Sequence, residues 1–238
     1  MVTEREEAGA LLAKRDRLEE QYRHNPWKFF CQQVLTVDES VDMNVIGAQR
    51  ILAWPRYHTY LKESLNVLLN EPLVGFPKSR RMMVSWLMAS YFIWKARFQE
   101  HSALFYMSET EQKAAFAVDK RCKFMEDNLK DPAFQQPRHE MKTKTGLVGH
   151  MTYPNGSYIW ALASGGDVLR QYTATVIFLD ECEFQDEAPA VVRAALPMVE
   201  NGAQLILASS SDGPIGVLAE LADACGIKNY KDVRRLVA

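Results

Sequence analysis

Two adjacent carboxylates follow an apolar run in the last third of the chain. Residues 176–179 read Val-Ile-Phe-Leu and lead directly into Asp180 and Glu181, a pattern typical of a buried strand that ends at a sheet edge. There the first carboxylate can hold Mg²⁺ through its water shell, and the second can polarise a water molecule that attacks a phosphoryl group. We predict that Asp180 binds the metal and that Glu181 is the catalytic base. A strand that ends in a solvated acidic turn has the same pattern, so a partner motif is required.

A run of basic residues, placed between a predicted strand and a predicted helix, is the candidate partner motif. Residues 78–85 read Lys-Ser-Arg-Arg-Met-Met-Val-Ser, and the free N–H groups and dipole at a helix start can bind phosphate. Lys78, Arg80 and Arg81 can neutralise phosphate charge during catalysis, and Ser85 can ligate Mg²⁺. The alternative is a basic turn that caps a helix on a solvated face.

This loop departs from the usual G-x-x-x-x-G-K-[ST] pattern of phosphate-binding loops. Lys78 and Met83 stand at the two glycine positions, Val84 stands at the lysine position, and only Ser85 matches. The cation has therefore moved to the beginning of the loop. We predict that the whole loop contacts nucleotide, through Lys78, Ser79, Arg80, Arg81, Met82, Met83, Val84 and Ser85.

Together the two motifs resemble those of bacteriophage large terminases, the ATP-driven motors that package viral DNA. Lys78 stands where some members of that family carry the key lysine of a deviant Walker A loop, and Asp180 with Glu181 resembles the Walker B motif. The resemblance covers about residues 27–216 and implies a P-loop ATPase that uses ATP and Mg²⁺.

Further residues take roles from this resemblance. Ser209 and Ser210 end a segment that resembles the family's coupling motif, whose hydroxyl groups sense the γ-phosphate. Arg170 begins a segment that resembles an Arg-Gly-x-Thr stretch, with Gln171 in place of glycine, and would act as a finger on the nucleotide of a neighbouring subunit. Gln49 lies where terminases and helicases place a glutamine that reads adenine. The ordinary alternatives are a serine-rich turn, a salt-bridged surface arginine and a solvated helix residue.

Alternating strand-like and helix-like segments predict an α/β fold with a central, mostly parallel sheet flanked by helices, and the resemblance implies a P-loop NTPase of the ASCE type. Apolar runs predict strands at 72–76, 103–107, 158–163, 175–179 and 204–208, and amphipathic stretches predict helices at 84–98, 111–128, 187–199 and 215–224. A Pro-Asn-Gly turn at 154–156 predicts an inserted β-hairpin. Helices predicted at 3–23, from Asn25 and at 47–69 make residues 1–70 a helical N-terminal region packed on an ATPase core at 71–238.

Composition limits the other possibilities. Lys and Arg number 28 against 30 Asp and Glu, so the chain lacks the basic balance of a protein that holds DNA by phosphate contacts alone. Cys31, Cys122, Cys182 and Cys225 lack the spacing of a zinc site and are predicted to be reduced, buried thiols. No stretch is apolar enough to span a membrane, and the expected location is the host cytoplasm.

The resemblance also implies partners. These are double-stranded DNA, a portal protein and a small terminase subunit, with a homo-oligomeric ring on the procapsid and a monomer for the isolated domain. Complete large terminases continue into a nuclease domain, which is not present in these 238 residues. The sequence is therefore either part of a longer protein, which we expect, or an unusual short protein. Two alternatives are a single recombinase-like core of a helicase and a degenerate nucleotide-binding domain without turnover, the latter motivated by Val84.

Overall fold

A seven-stranded sheet forms the centre of the computed structural model, which describes residues 4–38, 50–79, 82–134, 137–210 and 216–218. The strands in these residues are β1 (Leu35–Val37), β2 (Ile51–Ala53), β3 (Leu73–Pro77), β4 (Ala103–Ser108), β5 (His139–Lys142), β6 (Val148–Thr152), β7 (Tyr158–Ala163), β8 (Val176–Asp180) and β9 (Gln204–Ser209). The α-helices are α1 (Glu4–Arg23), α2 (Pro26–Gln33), α3 (Thr59–Asn70), α4 (Val84–Phe98), α5 (Glu111–Ala117), α6 (Phe124–Asp127), α7 (Gly166–Leu169) and α8 (Ala188–Glu200).

The sheet has the strand order β3-β9-β8-β4-β7-β6-β5. All neighbours from β3 to β7 are parallel, and β6 and β5 are antiparallel additions at one edge. One strand, β9, separates β3 from β8. The predicted α/β fold with a mostly parallel, helix-flanked sheet is confirmed.

Helices cover both faces of the parallel strands, which explains why those strands are apolar on both sides. Leu104, Tyr106 and Phe178 point to the face packed by α4 and α5, whereas Phe105 and Ile177 point to the face packed by α8. Because successive strand residues alternate between faces, each strand supplies both cores. The strands and helices predicted between residues 72 and 208 are present, and α4 has the predicted bounds.

The predicted β-hairpin is also present. Strands β6 and β7 pair antiparallel, and Gly156 in the turn between them has φ of +80°, a conformation that glycine adopts without strain. The structure adds two features that the sequence patterns did not predict. Strand β5 extends the sheet beyond β6, and the predicted helix at 111–128 contains a π-helical segment, Val118–Lys123.

The N-terminal region is not wholly helical, and the prediction of a helix at 47–69 was wrong over its first part. Strands β1 and β2 form a two-stranded antiparallel sheet, and α3 begins only at Thr59. Pro55 explains the difference, because the residue before a proline is disfavoured in helical conformation. Helices α1 and α2 pack against α4 through Tyr22 and Phe29. The division at residue 70 stays a prediction.

A few remaining expectations concern single residues or segments. Cys31, Cys122 and Cys182 are free thiols, and Cys31 is only partly buried; Cys225 lies outside the described residues. The predicted helix at 215–224 also lies mostly outside them. None of the described helices has the length and apolar character needed to cross a membrane.

Candidate nucleotide-binding site

Three parallel strands end side by side at the edge of the sheet where the predicted motifs meet. Pro77 of β3 is in register with Ser209 of β9, and Asp180 of β8 is in register with Ala208. The backbone N–H of Lys78 continues the ladder by donating to the Ser209 carbonyl oxygen over 2.9 Å. Three segments therefore begin at neighbouring strand ends on one edge of the sheet. They are the proposed phosphate loop, the two carboxylates and the serine motif.

Asp180 has one carboxylate oxygen that accepts two hydrogen bonds and one that accepts none from the described residues. Oδ2 accepts hydrogen bonds from Ser85 Oγ at 3.0 Å and from Tyr106 Oη at 2.6 Å. Oδ1 is buried without a hydrogen bond in the described part of the chain, and it lies 3.7 Å from Lys78 Nζ. The Asp180 backbone carbonyl accepts from Gln185 Nε2 at 2.6 Å, which fixes the turn after β8.

Glu181 begins that turn in a left-handed conformation, with φ of +57°. Such a conformation is strained for a residue with a side chain, and strain of this kind concentrates at functional sites. Its Oε1 accepts from Lys78 Nζ at 2.7 Å, and its Oε2 accepts from the Ser210 N–H at 3.3 Å and from Ser209 Oγ at 3.4 Å. Partial burial acts to raise the pKa of Glu181, but these donors and the Lys78 charge outweigh it and lower the pKa.

At the end of the loop, the Ser85 side chain lies in the site and the Val84 side chain lies outside it. Met83 is the left-handed residue before α4, with φ of +55°, and Ser85 is the second residue of the helix. Val84 is only 4% exposed and packs in the core. Any contact of Val84 with phosphate would therefore use its backbone N–H. Among the described residues, the cation at this site is Lys78, whose side chain is 10% exposed.

The structure thus brings together Lys78, Ser85, Asp180, Glu181, Ser209 and Ser210, all of which were predicted from sequence. Ser79 is exposed beside them, and Met82 and Met83 pack their side chains partly against the core. Gln49, Arg80 and Arg81 lie outside the described residues. Their predicted roles stay predictions.

Arg170 lies away from this site. Its side chain is 66% exposed and pairs with Asp167 at 3.0 Å. It borders a groove of about 510 Å³ that also includes Arg193, Thr173 and Asn201. Thr173 and Asn201 precede β8 and β9, so this groove reaches the amino-terminal end of the sheet, opposite to the end that carries Glu181.

The sequence patterns missed two residues that touch Asp180. Gln185 follows the turn, and Tyr106 comes from the neighbouring strand β4, where it is in register with Phe178. The signal for Tyr106 was available, because a tyrosine within a strand buried on both faces needs a partner for its hydroxyl group. Burial, followed by the charge of Asp180, raises the pKa of Tyr106 well above its ordinary value.

The donor set around Asp180 fits Mg²⁺. This ion keeps several waters and needs only one or two carboxylates, because substrate phosphates supply further ligands. Asp180 Oδ1 is buried and accepts no hydrogen bond from the described residues, and the Ser85 hydroxyl lies beside the same carboxylate. Within the described ranges, no group of three or more His, Cys, Asp or Glu is arranged to hold a metal ion by itself. A metal that arrives with a nucleotide fits this arrangement better than an all-protein site.

Solved structures of bacteriophage large terminases share this fold. The HK97 bacteriophage large terminase aligns with a TM-score of 0.62 at 12% identity, over 89% of this chain and 42% of that chain. The large terminase of a thermophilic bacteriophage aligns with a TM-score of 0.52 at 16% identity, over 69% of this chain and 43% of that chain. A mutant ATPase domain of the Thermus phage P74-26 large terminase aligns with a TM-score of 0.50 at 12% identity, over 70% of this chain and 73% of that chain.

The sequence matches no protein-family model and no curated protein. The chain has the fold of a large-terminase ATPase domain and spans less than half the length of the first two relatives.

Proposed function

We propose that this chain is the ATPase motor domain of a viral large terminase, which couples ATP hydrolysis to the translocation of double-stranded DNA into a procapsid. The observation that carries the proposal is the convergence of Lys78, Ser85, Asp180 and Glu181 at one sheet edge, with bonds of 2.7 Å and 3.0 Å between them. Fold alone supports many functions. Phosphoryl transfer, in contrast, requires a cation for the phosphates, ligands for Mg²⁺ and a carboxylate that acts on the attacking water, and these four residues supply such groups.

In this proposal the ion pair between Lys78 and Glu181 is a resting arrangement. Lys78 Nζ lies between Glu181 and Asp180, so phosphate oxygens that enter the loop compete with Glu181 for the same cation. Once Lys78 binds phosphate, the Glu181 carboxylate is free to polarise the attacking water. Asp180 and Ser85 would hold Mg²⁺, which supplies neutralisation of the phosphate oxygens.

Ser209 and Ser210 are proposed to report the state of the phosphate. Both contact Glu181 Oε2, and the Ser209 hydroxyl also accepts from the Glu183 N–H at 3.3 Å. Glu183 Oε1 in turn accepts from the Leu218 N–H at 2.9 Å. A change at Glu181 therefore has a continuous hydrogen-bonded route to the chain beyond β9.

The assembly and partners are proposals as well. We propose double-stranded DNA, a portal protein and a small terminase subunit as partners, and a homo-oligomeric ring as the working form. Because Arg170 lies at the opposite end of the sheet from Glu181, it cannot serve the site of its own chain without a large rearrangement. It is therefore proposed to act on a neighbouring subunit.

A degenerate domain that binds nucleotide without turnover is the second candidate, since Val84 occupies the usual lysine position and faces the core. The contacts of Glu181 argue against it, because a domain without turnover has no need of a strained carboxylate held beside the loop cation.

The experiment that separates the two candidates measures γ-phosphate release with and without DNA, together with ATP binding. Glu181→Gln should bind ATP with Mg²⁺ as the parent does and lose turnover by roughly 100-fold or more, since general base catalysis contributes about that much. Glu187→Gln, at an exposed carboxylate of the same loop, is the matched control and should retain turnover. Undiminished hydrolysis by Glu181→Gln would contradict the assignment of the base, and a parent chain that binds ATP without turnover in any assembly would favour the degenerate domain.

A further inference from the structure

Tyr106 makes a contact with the metal-binding carboxylate that packing alone does not require. Its side chain is fully buried in the middle of β4, and its ring lies against Phe92 at 6.1 Å and Phe178 at 5.0 Å. A phenylalanine would fill the same space. The hydroxyl group reaches past Phe178 to Asp180 Oδ2 at 2.6 Å, two residues further along β8 on the same face.

The two hydroxyl groups that donate to Asp180 Oδ2, those of Ser85 and Tyr106, differ in their freedom to turn away from this oxygen. Ser85 lies at the start of α4 and would turn its hydroxyl group to a metal ion bound with nucleotide. The Tyr106 ring is fully buried and packs against the Phe92 and Phe178 rings, so its hydroxyl group stays directed at Oδ2. When Ser85 turns away, Tyr106 remains as the donor that holds the carboxylate in place.

This arrangement also fixes which oxygen of Asp180 is presented. With Oδ2 held by Tyr106, the oxygen directed at Lys78 and at the loop is Oδ1, which is buried and accepts no hydrogen bond from the described residues. Hydrogen bonds to the outer oxygen of a ligating carboxylate orient it and tune metal affinity.

We propose that Tyr106 is a positioning residue that orients Asp180 so that its Oδ1 atom receives the magnesium ion of a bound nucleotide. The proposal rests on the function proposed above, and it adds a residue from a different strand to the site. Tyr106 itself would touch neither the nucleotide nor the metal.

The test compares nucleotide affinity with and without metal, because the ratio isolates the contribution of the metal. A non-hydrolysable ATP analogue is titrated into the parent chain, into Tyr106→Phe and into Tyr91→Phe, in EDTA and in Mg²⁺. Tyr91 is a matched control, since it is a buried tyrosine of the same core whose hydroxyl group bonds Gln204 and the Leu68 carbonyl oxygen. Tyr106→Phe should keep the affinity measured in EDTA within about twofold, and the gain in affinity from Mg²⁺ should fall about 10-fold.

The outcomes separate the role of Tyr106 from the function of the site. If Mg²⁺ strengthens binding to the parent and to Tyr106→Phe equally, the role of Tyr106 is wrong and the proposed site stands. If Mg²⁺ does not strengthen binding of the ATP analogue to the parent chain, the proposed metal site and the role of Tyr106 are both wrong. A purely structural role predicts that Tyr106→Phe and Tyr91→Phe lose stability alike and that both keep the full effect of the metal.

A second measurement covers the case in which Tyr106→Phe does not fold. Fluorotyrosine placed at position 106 keeps the ring and the hydroxyl group, and its ¹⁹F resonance reports the hydrogen bond to Asp180. The resonance should shift when Mg²⁺ is added to the complex with the ATP analogue, because the metal withdraws charge from the carboxylate. An unchanged resonance under conditions where Mg²⁺ strengthens binding would overturn the proposal.

Discussion

At the scale of single residues, the position of Lys78 explains how the proposed loop could bind phosphate although Val84 occupies the usual lysine position. A lysine at position 84 would begin α4, whereas Lys78 leaves the end of β3 and reaches both carboxylates from the other side of the loop. Val84 is free to contribute to the core instead. Position 78 therefore supplies the charge and position 84 supplies packing. Substitution at position 78 should affect turnover, and substitution at position 84 should affect stability.

Lys78→Ala and Val84→Ala test these two roles. Lys78→Ala should lower ATP turnover by roughly 100-fold or more, because the positive charge beside the phosphates is lost, with little loss of stability. Val84→Ala should keep turnover per folded molecule and lose about 1–2 kcal/mol of unfolding free energy, for two buried methyl groups. Steady-state ATPase assays and urea unfolding measure the two effects. A Val84→Ala chain that folds normally and fails to hydrolyse ATP would show that the loop is aligned wrongly.

Sequence predicted some of these residues and missed others for a physical reason. Asp180, Glu181 and Lys78 stand at strand ends, so a local pattern of apolar residues followed by charge is enough to find them. Tyr106 acquires its partner only through the register of β4 on β8, which places it opposite Phe178. Register between strands distant in sequence depends on the whole sheet, and no local pattern reveals it.

At the scale of elements, a buried ion pair ties α4 to α6, the last segment of the helical region predicted at 111–128. Arg97 near the end of α4 donates to Glu126 of α6, with Nε at 2.9 Å from Oε1, and Tyr153 donates to the same carboxylate at 2.9 Å. Both charged side chains are almost fully buried, at 2% and 0% exposure. The pair fixes the far end of the helix that follows the proposed phosphate loop. Sequence predicted both helices, but not this link between them.

Removal of one partner should therefore be costly. Glu126→Ala leaves the Arg97 charge buried and unpaired, and we expect a loss of about 3–5 kcal/mol in unfolding free energy. Glu109→Ala is the control, because Glu109 pairs with Lys113 at the surface and should lose about 1 kcal/mol or less. Chemical denaturation of both variants measures the difference. Equal, small losses would mean that water reaches Arg97 and that the link is not buried in solution.

At the scale of the whole molecule, the two ends of the sheet carry complementary parts of the proposed motor. Glu181 and Lys78 stand at the carboxyl end, and the groove with Arg170 and Arg193 reaches the opposite end. Asp167, the partner of Arg170, is 93% exposed, and such a surface pair is weak. Arg170 can therefore exchange this partner for a phosphate group at little cost.

Mixing two inactive variants tests whether Arg170 acts between subunits. Arg170→Ala keeps an intact nucleotide site and Glu181→Gln keeps an intact finger, so ATPase activity should reappear when both are assembled together on DNA. Assembly is followed by co-sedimentation, and Arg193→Ala mixed in the same way is the control for the other arginine of the groove. A co-assembled mixture as inactive as either variant alone would show that Arg170 does not act between subunits, and would leave it a structural role or one within its own chain after a rearrangement.

The strand order also determines when the site can exist during synthesis. Strands β3 and β8, which carry Lys78 and Glu181, are not neighbours, and β9 fills the gap between them. Since β9 is the last of the described strands in chain order, the chain must be synthesised to residue 209 before β3 and β8 have the strand that joins them. Up to that moment β3 lacks the strand with which it pairs, one edge of β8 is unpaired, and the nucleotide site is incomplete. Because a ligand stabilises only the state that carries its site, we expect ATP to stabilise this domain only after β9 has joined β3 to β8.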